Sequence, residues 1–221
     1  MSGEPYNILN DPEANVLYEK CSDVDSALWQ ALAAANPADI LRRTGVAFRD
    51  GAYHLTFLNR LLIIDAPRRL LAIAGADDRE AEFQLCLTAL LYLLRVDKAG
   101  LGANQVSPKE FKGGVTFFQG PHALPVAKLE ARYGRDPEGF LKSGEHLAAT
   151  PQDLGDAALL LPAFPGLPLG VILWEGDEEF PAQVSLTVPS GLEHYWPLDA
   201  VWALLNVVSR ELQRAGAGLP A

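Results

Sequence analysis

The chain has 221 residues, 49% of them hydrophobic, enough to bury one substantial core, and a formal net charge of −10. That charge excludes a nucleic-acid backbone as partner, because such a partner needs a basic face that releases counterions. No basic start precedes an apolar segment and no uninterrupted apolar run reaches the roughly 20 residues of a bilayer span, so no membrane insertion is expected and a cytoplasmic location is the default.

Residues 1–22 hold Gly3, Pro5, Asn7, Asn10, Asp11 and Pro12 without periodicity and read as an N-terminal arm. A single domain then spans 23–215, followed by a loose tail over 216–221. Ser22 or Asp23 is placed to cap a helix whose Leu28, Trp29 and Leu32 share a face and which ends near Asn36-Pro37. A short helix from Pro37 closes at Gly45, a natural left-handed residue. From Val46 to Ile73 the period changes to two, and Asp50-Gly51 between alternating runs is a strong hairpin signal, so three or four antiparallel strands form a meander. Asp77 or Asp78 caps a long helix with a stripe of Phe83, Leu87, Leu90, Leu91 and Leu94; Leu85, Cys86, Ala89 and Leu93 are apolar too, which predicts cover on most sides.

Ser107, Pro108 and Glu110 form a capping box over a brief helix that Gly113-Gly114 stops. Val115 to Phe118 reads as a short strand. Helices follow over Pro125 to Tyr133 and over Asp136-Pro137 to Leu147, then strands over Ala157 to Leu161, Leu169 to Trp174 and Gln183 to Val188. The near-continuous apolar run of Leu169 to Trp174 predicts a central strand buried on both faces. A last helix starts at Pro197 with Leu198, Val201, Trp202, Leu205, Val208 and Leu212 inward. Partial segregation of strands from helices, with tight turns between strands, predicts an α+β fold: a mainly antiparallel sheet, an N-terminal β-meander and flanking helices.

The acidic group Glu175, Asp177, Glu178 and Glu179 ends the most apolar stretch of the chain and lies between Trp174 and Phe180-Pro181. Alternating carboxylates beside a glycine turn can supply the oxygen ligands a hard cation takes, although the EF-hand spacing is absent; solvated charge at a strand end is the plain alternative. His122 and His194 each sit in a loop beside aromatics, just before a helix, and a pair of histidines with a carboxylate suits a transition metal. The candidate ligand-binding set is therefore His122, Trp174, Glu175, Asp177, Glu178 and His194, with His122, Asp177 and His194 as candidate metal ligands should they converge; hydrogen-bonded loop histidines are the alternative. Cys21 and Cys86 form no CxxC pair, so a thiolate metal site or redox dithiol would need a second chain, and Cys86 reads as an inert core residue with Cys21 the reactive one. Gly100-Leu-Gly102 and Gly113-Gly114 lack P-loop and dinucleotide spacing, and no GxSxG elbow or HExxH helix is present.

The segments Lys112 to His122 (KGGVTFFQGPH), Tyr133 to Phe140 (YGRDPEGF), Gly155 to Ala157 (GDA) and Leu173 to Pro181 (LWEGDEEFP) resemble the domain-of-unknown-function family 3786, a likeness running from about Leu28 to Leu212. The resemblance implies a family of anaerobic bacteria and archaea whose members are often fused to a four-cysteine iron-sulfur domain of the kind found in corrinoid proteins. It thus implies service to anaerobic redox or corrinoid one-carbon metabolism. Two cysteines cannot hold a cluster alone, so the cluster would belong to an iron-sulfur or corrinoid partner. The leading expectation is a non-catalytic ligand-binding or accessory domain; the rivals are a metal-dependent enzyme, possibly a hydrolase with Glu178 as general base beside a metal on the acidic turn, and a structural interaction module. A metal or a corrinoid is the cofactor these readings allow, and no motif demonstrates either.

Overall fold

A computed structural model describes residues 18–76 and 81–218. Asp77 and Asp78, the expected caps of the long helix, and most of the N-terminal arm lie outside the described residues. The order of elements begins with α1 (Ser26–Ala34), α2 (Pro37–Thr44), β1 (Ala47–Arg49), β2 (Ala52–Phe57), β3 (Arg60–Asp65), β4 (Leu70–Ile73) and α3 (Phe83–Arg95). It continues with β5 (Gln105–Val106), α4 (Gly114–Phe117), α5 (Ala127–Tyr133), α6 (Pro137–Glu145), β6 (Thr150–Gln152), β7 (Ala157–Phe164), β8 (Leu167–Trp174), β9 (Gln183–Pro189) and α7 (Leu198–Gly216). The fold is α+β with two antiparallel sheets, β1-β2-β3-β4 and β5-β9-β8-β7-β6. Among the described residues no helix is long and apolar enough to cross a membrane.

Local chemistry sets the boundaries. The cap of α1 is Asp25, whose carboxylate accepts from the Ala27 amide, and not Ser22 or Asp23. Asp23 instead accepts from the Glu19 and Lys20 amides around a short 3-10 turn at Cys21–Asp23. Asn36 caps α2 with Pro37 in the first turn, and Gly45 at φ 75° ends it. Asp50 and Gly51, both at positive φ, make the β1–β2 turn as the Asp-Gly pair requires. Val115 to Phe118 forms no strand: Gly114 packs so tightly on residues 108–109 that a Cβ there would lie 2.3 Å from the Pro108 carbonyl oxygen, and the chain folds back into α4.

Both sheets share one apolar core with the helices. Helix α3 is buried from Gln84 to Leu93 except at the half-buried Leu87 and packs against α7; α6 packs on α7 and β7, and α5 on β9. The turn after β2 joins the sheets, because the Leu58 amide donates to the Pro162 and Ala163 carbonyls of β7. Strand β8 is central in its sheet, with Leu169, Val171 and Leu173 each at most 1% exposed. Its other face is not buried throughout: Pro168 and Ile172 are half-buried and Trp174 is exposed.

The two cysteines are not independent. Cys21 and Cys86 form a disulfide spanning 65 residues, so neither is a free thiol, which corrects the expectation of a reactive Cys21 beside an inert Cys86. The cause is a contact that no local pattern encodes. Residues 19–21 lie antiparallel to residues 81–83, with the Cys21 amide donating to the Ala81 carbonyl and the Phe83 amide to that of Glu19, which brings Cys21 against the first turn of α3.

At that same point Glu82 receives Arg210 and Arg214 of α7. Burial pushes the Glu82 carboxyl up, but the hydrogen bond from Arg214 and the charges of Arg210 and Arg214 outweigh it and hold the group below the ordinary carboxylate range. A carboxyl lowered by folding adds stability above its unfolded pKa, and that stability is lost as pH falls through the folded value. Urea melts at about pH 6 and about pH 3.5 are expected to show a smaller acid loss for Glu82→Gln than for the unaltered chain; equal losses would remove this carboxylate from the acid response.

Candidate functional site

The residues singled out by sequence occupy separate places. The acidic turn is tied down by hydrogen bonds. The Glu175 amide donates to the Asp156 carboxylate at 2.7 Å, the Gly176 amide to the Gly134 carbonyl at 2.9 Å, and the Asp177 amide to the Phe180 carbonyl at 2.9 Å. The Asp177 carboxylate accepts from the Phe180 and Glu179 amides, and these bonds hold it below the usual carboxylate range. Its oxygens thus close their own turn. Glu175, Glu178 and Glu179 are exposed, as is Phe180. A cleft of about 330 Å³ beside the turn is lined by Arg132, Arg135, Asp136 and Phe180.

His194 ends the 3-10 turn Leu192–His194, with Nδ1 3.2 Å from the Gly191 carbonyl oxygen. The seven residues of β9 separate it from the acidic turn, and a strand of that length spans roughly 20 Å. His122 belongs to the helical layer, with ring centroids 4.6 Å from Phe117 and 5.3 Å from Trp202. Trp202 fixes that corner by donating from its indole to the Ala123 carbonyl. His194 and Asp177 therefore lie at opposite ends of one strand. Among the described residues no three His, Cys, Asp or Glu side chains stand together in a way that could hold a metal ion.

A different concavity lies on the outer face of the five-stranded sheet. Side chains alternate across a strand, so while Leu159 and Leu161 of β7 and Leu169 and Val171 of β8 enter the core, Ala158, Leu160, Gly170 and Ile172 face the other way. These four are the floor of a groove of about 470 Å³, walled by Leu101 and Leu154. Gln105 of the edge strand β5 and Thr187 of β9 supply a polar end: the Thr187 hydroxyl donates to Gln105 Oε1 at 3.1 Å, and Gln105 Nε2 donates to the Pro168 carbonyl at 3.4 Å. Gly170 is cross-strand partner to Thr187, and a Cβ on Gly170 would stand 2.1 Å from the Thr187 hydroxyl oxygen, so only glycine leaves that hydroxyl where it is. Trp174 stands on the same face of β8, two positions beyond Ile172. None of the described residues lining the groove has an ionisable side chain.

Sequence reasoning missed this groove because both faces of β7 and β8 are apolar. The available signal was the outward series Pro168, Gly170, Ile172, in which a glycine breaks an otherwise bulky face.

An α+β protein with an apolar groove on one face of its five-stranded sheet is the class that fold and site define. The chain belongs to the family described as a domain of unknown function, DUF3786, which matches residues 36–211. Comparison with curated proteins and with solved structures gave no match.

Proposed function

We propose that this chain is a non-catalytic ligand-binding or accessory domain, and that its ligand occupies the groove on the outer face of the five-stranded sheet. The observation that carries this reading is the groove's construction. Its volume of about 470 Å³ falls within the usual range for small-molecule sites, its lining is predominantly apolar, and a single hydrogen-bonded pair is fixed at one end. Acid–base chemistry needs a titratable group, and a hydroxyl attacks only beside a base that takes its proton; the lining supplies amides, the Thr187 hydroxyl bonded to an amide oxygen, and hydrocarbon. Service to anaerobic redox or corrinoid one-carbon metabolism, beside an iron-sulfur or corrinoid protein, is the part of the proposal that rests on the family resemblance.

The reading is tested by titration with Nile red, a neutral dye whose emission shifts to the blue in apolar surroundings. The chain should give a saturable blue shift, and Leu160→Glu, which puts a carboxylate on the groove floor from a half-buried position, should abolish it with little change in melting. Equal binding to both proteins, or none to either, would refute the groove as a ligand site.

A second reading has one observation in its favour. Trp174 and Phe180 are 40% and 66% exposed at the two ends of the hydrogen-bonded acidic turn, and exposed aromatics rimmed by charge are typical of protein contact surfaces. If the chain is an interaction module, that turn is its contact surface.

A further inference from the structure

We infer that the groove takes a cationic amphiphile, a molecule with an aliphatic chain and an ammonium head, the chain lying along β8 and the head meeting Trp174 and Asp156. The inference rests on the groove being a ligand site and adds the class of ligand. The chain is set by the lining. The β8 part of the lining runs from Pro168 to Ile172, about 13 Å at the rise of a strand, which accommodates an extended eight-carbon chain. None of the described lining residues is ionisable, so the part of a ligand that lies there is uncharged and gains by leaving water. Lys98 does not alter this. It packs on Gly166 through its stem, while its ammonium reaches Gly45, where a Cβ would lie 2.8 Å from Nζ, so its charge is carried away from the groove.

The head is set by what stands at the Ile172 end. Leu154 walls that end, because the next residue, Gly155, packs on Ile172, where a Cβ would lie 2.8 Å from Cγ2. Trp174 follows on the same face of β8, two positions beyond Ile172, and is 40% exposed. The β7–β8 register pairs Ala158 with Ile172 and Ala157 with Leu173, and one further step sets Asp156 opposite Trp174. The Asp156 carboxylate is fixed there, since one of its oxygens accepts the Glu175 amide at 2.7 Å. Asp153 and Glu175 are exposed beside it in the chain. The arginines near the acidic turn, Arg132 and Arg135, line the separate cleft with Phe180. An indole and a carboxylate at the mouth of an apolar groove both attract a cation and disfavour an anion. The net charge of −10 acts in the same direction.

The probes are octyltrimethylammonium, 1-octanol and octanoate, which share one chain and differ in the charge of the head. Displacement of Nile red from the full chain should show the ammonium binding about tenfold more tightly than the alcohol, the scale of one cation–π contact together with one exposed ion pair, and octanoate weakest. Asp156→Asn keeps an acceptor for the Glu175 amide and removes the charge, while Trp174→Leu keeps an apolar side chain and removes the ring. Each should lower the preference for the ammonium about threefold and leave the binding of 1-octanol and Nile red as in the unaltered protein, which also shows that the variants are folded. Equal affinities for ammonium and alcohol in the unaltered chain overturn the ligand class but leave the groove standing as a site through Nile red. A preference that survives both replacements is attraction to the net charge alone and also overturns the class. Nile red binding that none of the three probes displaces overturns the aliphatic chain, and failure of all four molecules to bind overturns both the class and the site.

Discussion

Removing the Cys21–Cys86 crosslink, by reduction or by Cys21→Ala with Cys86→Ala, is expected to lower the unfolding free energy by about 4 kcal/mol. The chain-entropy relation gives this figure for a closed loop of 65 residues. For a chain of this length that corresponds to a fall in melting temperature of about 10 °C. The loop contains α1, α2 and the whole four-stranded meander, so the crosslink restrains roughly the first third of the domain in the unfolded state. Three measurements check it together. Native protein should show no titratable thiol, reductant should lower the denaturant midpoint of the unaltered chain, and reductant should leave the double alanine variant where it is. Two titratable thiols in the native protein, or a midpoint indifferent to reductant, would contradict the crosslink.

Replacing Arg60 with alanine is the second large effect, an expected loss of about 3–5 kcal/mol, because it strands a buried carboxylate. Arg60 opens β3, and its guanidinium lies 2.9 Å from Glu211 of α7, with the two side chains 15% and 4% exposed. Glu211 keeps Arg214 on its other oxygen, but that arginine is shared with Glu82. Neither Arg60 Nε nor Glu211 Oε2 has a well-aligned hydrogen bond among the described residues, so the pair is held by charge and proximity more than by directed bonding. The paired replacement Arg60→Met with Glu211→Leu removes both charges and fills much of the space. It should recover most of the loss, since a buried ion pair contributes little net stability over hydrocarbon of similar volume. Denaturant melts of the single and double variants decide the matter, and a double variant as unstable as Arg60→Ala would contradict the stranded carboxylate as the cause of the loss.

Much of the architecture was legible from residue patterns. Asp50-Gly51 with flanking alternation marks the meander, Gly45 closes α2, and the stripe from Leu198 to Leu212 marks α7. What stayed hidden depends on distance in sequence. The disulfide requires residues 19–21 to lie beside residues 81–83, and nothing near either cysteine announces that pairing. Its presence also bears on location, since disulfides persist chiefly in oxidising compartments. The edge strands β5 and β6 have two and three residues, too short for a period to register. Similarly, the acidic turn stands out by composition, yet only the strand β9 between them reveals how far Asp177 is from His194. In β8 the apolar run promised burial on both faces; one face enters the core and the other is the floor of the groove.

Amide chemical-shift mapping with Nile red tests the groove most directly. The account predicts saturable shifts at the amides of Leu160, Gly170, Ile172 and Thr187 and at the side-chain amide of Gln105, all on the outer sheet face. Shifts centred instead on Arg135, Asp177 and Phe180, around the cleft beside the acidic turn, or no saturable shift anywhere, would contradict it.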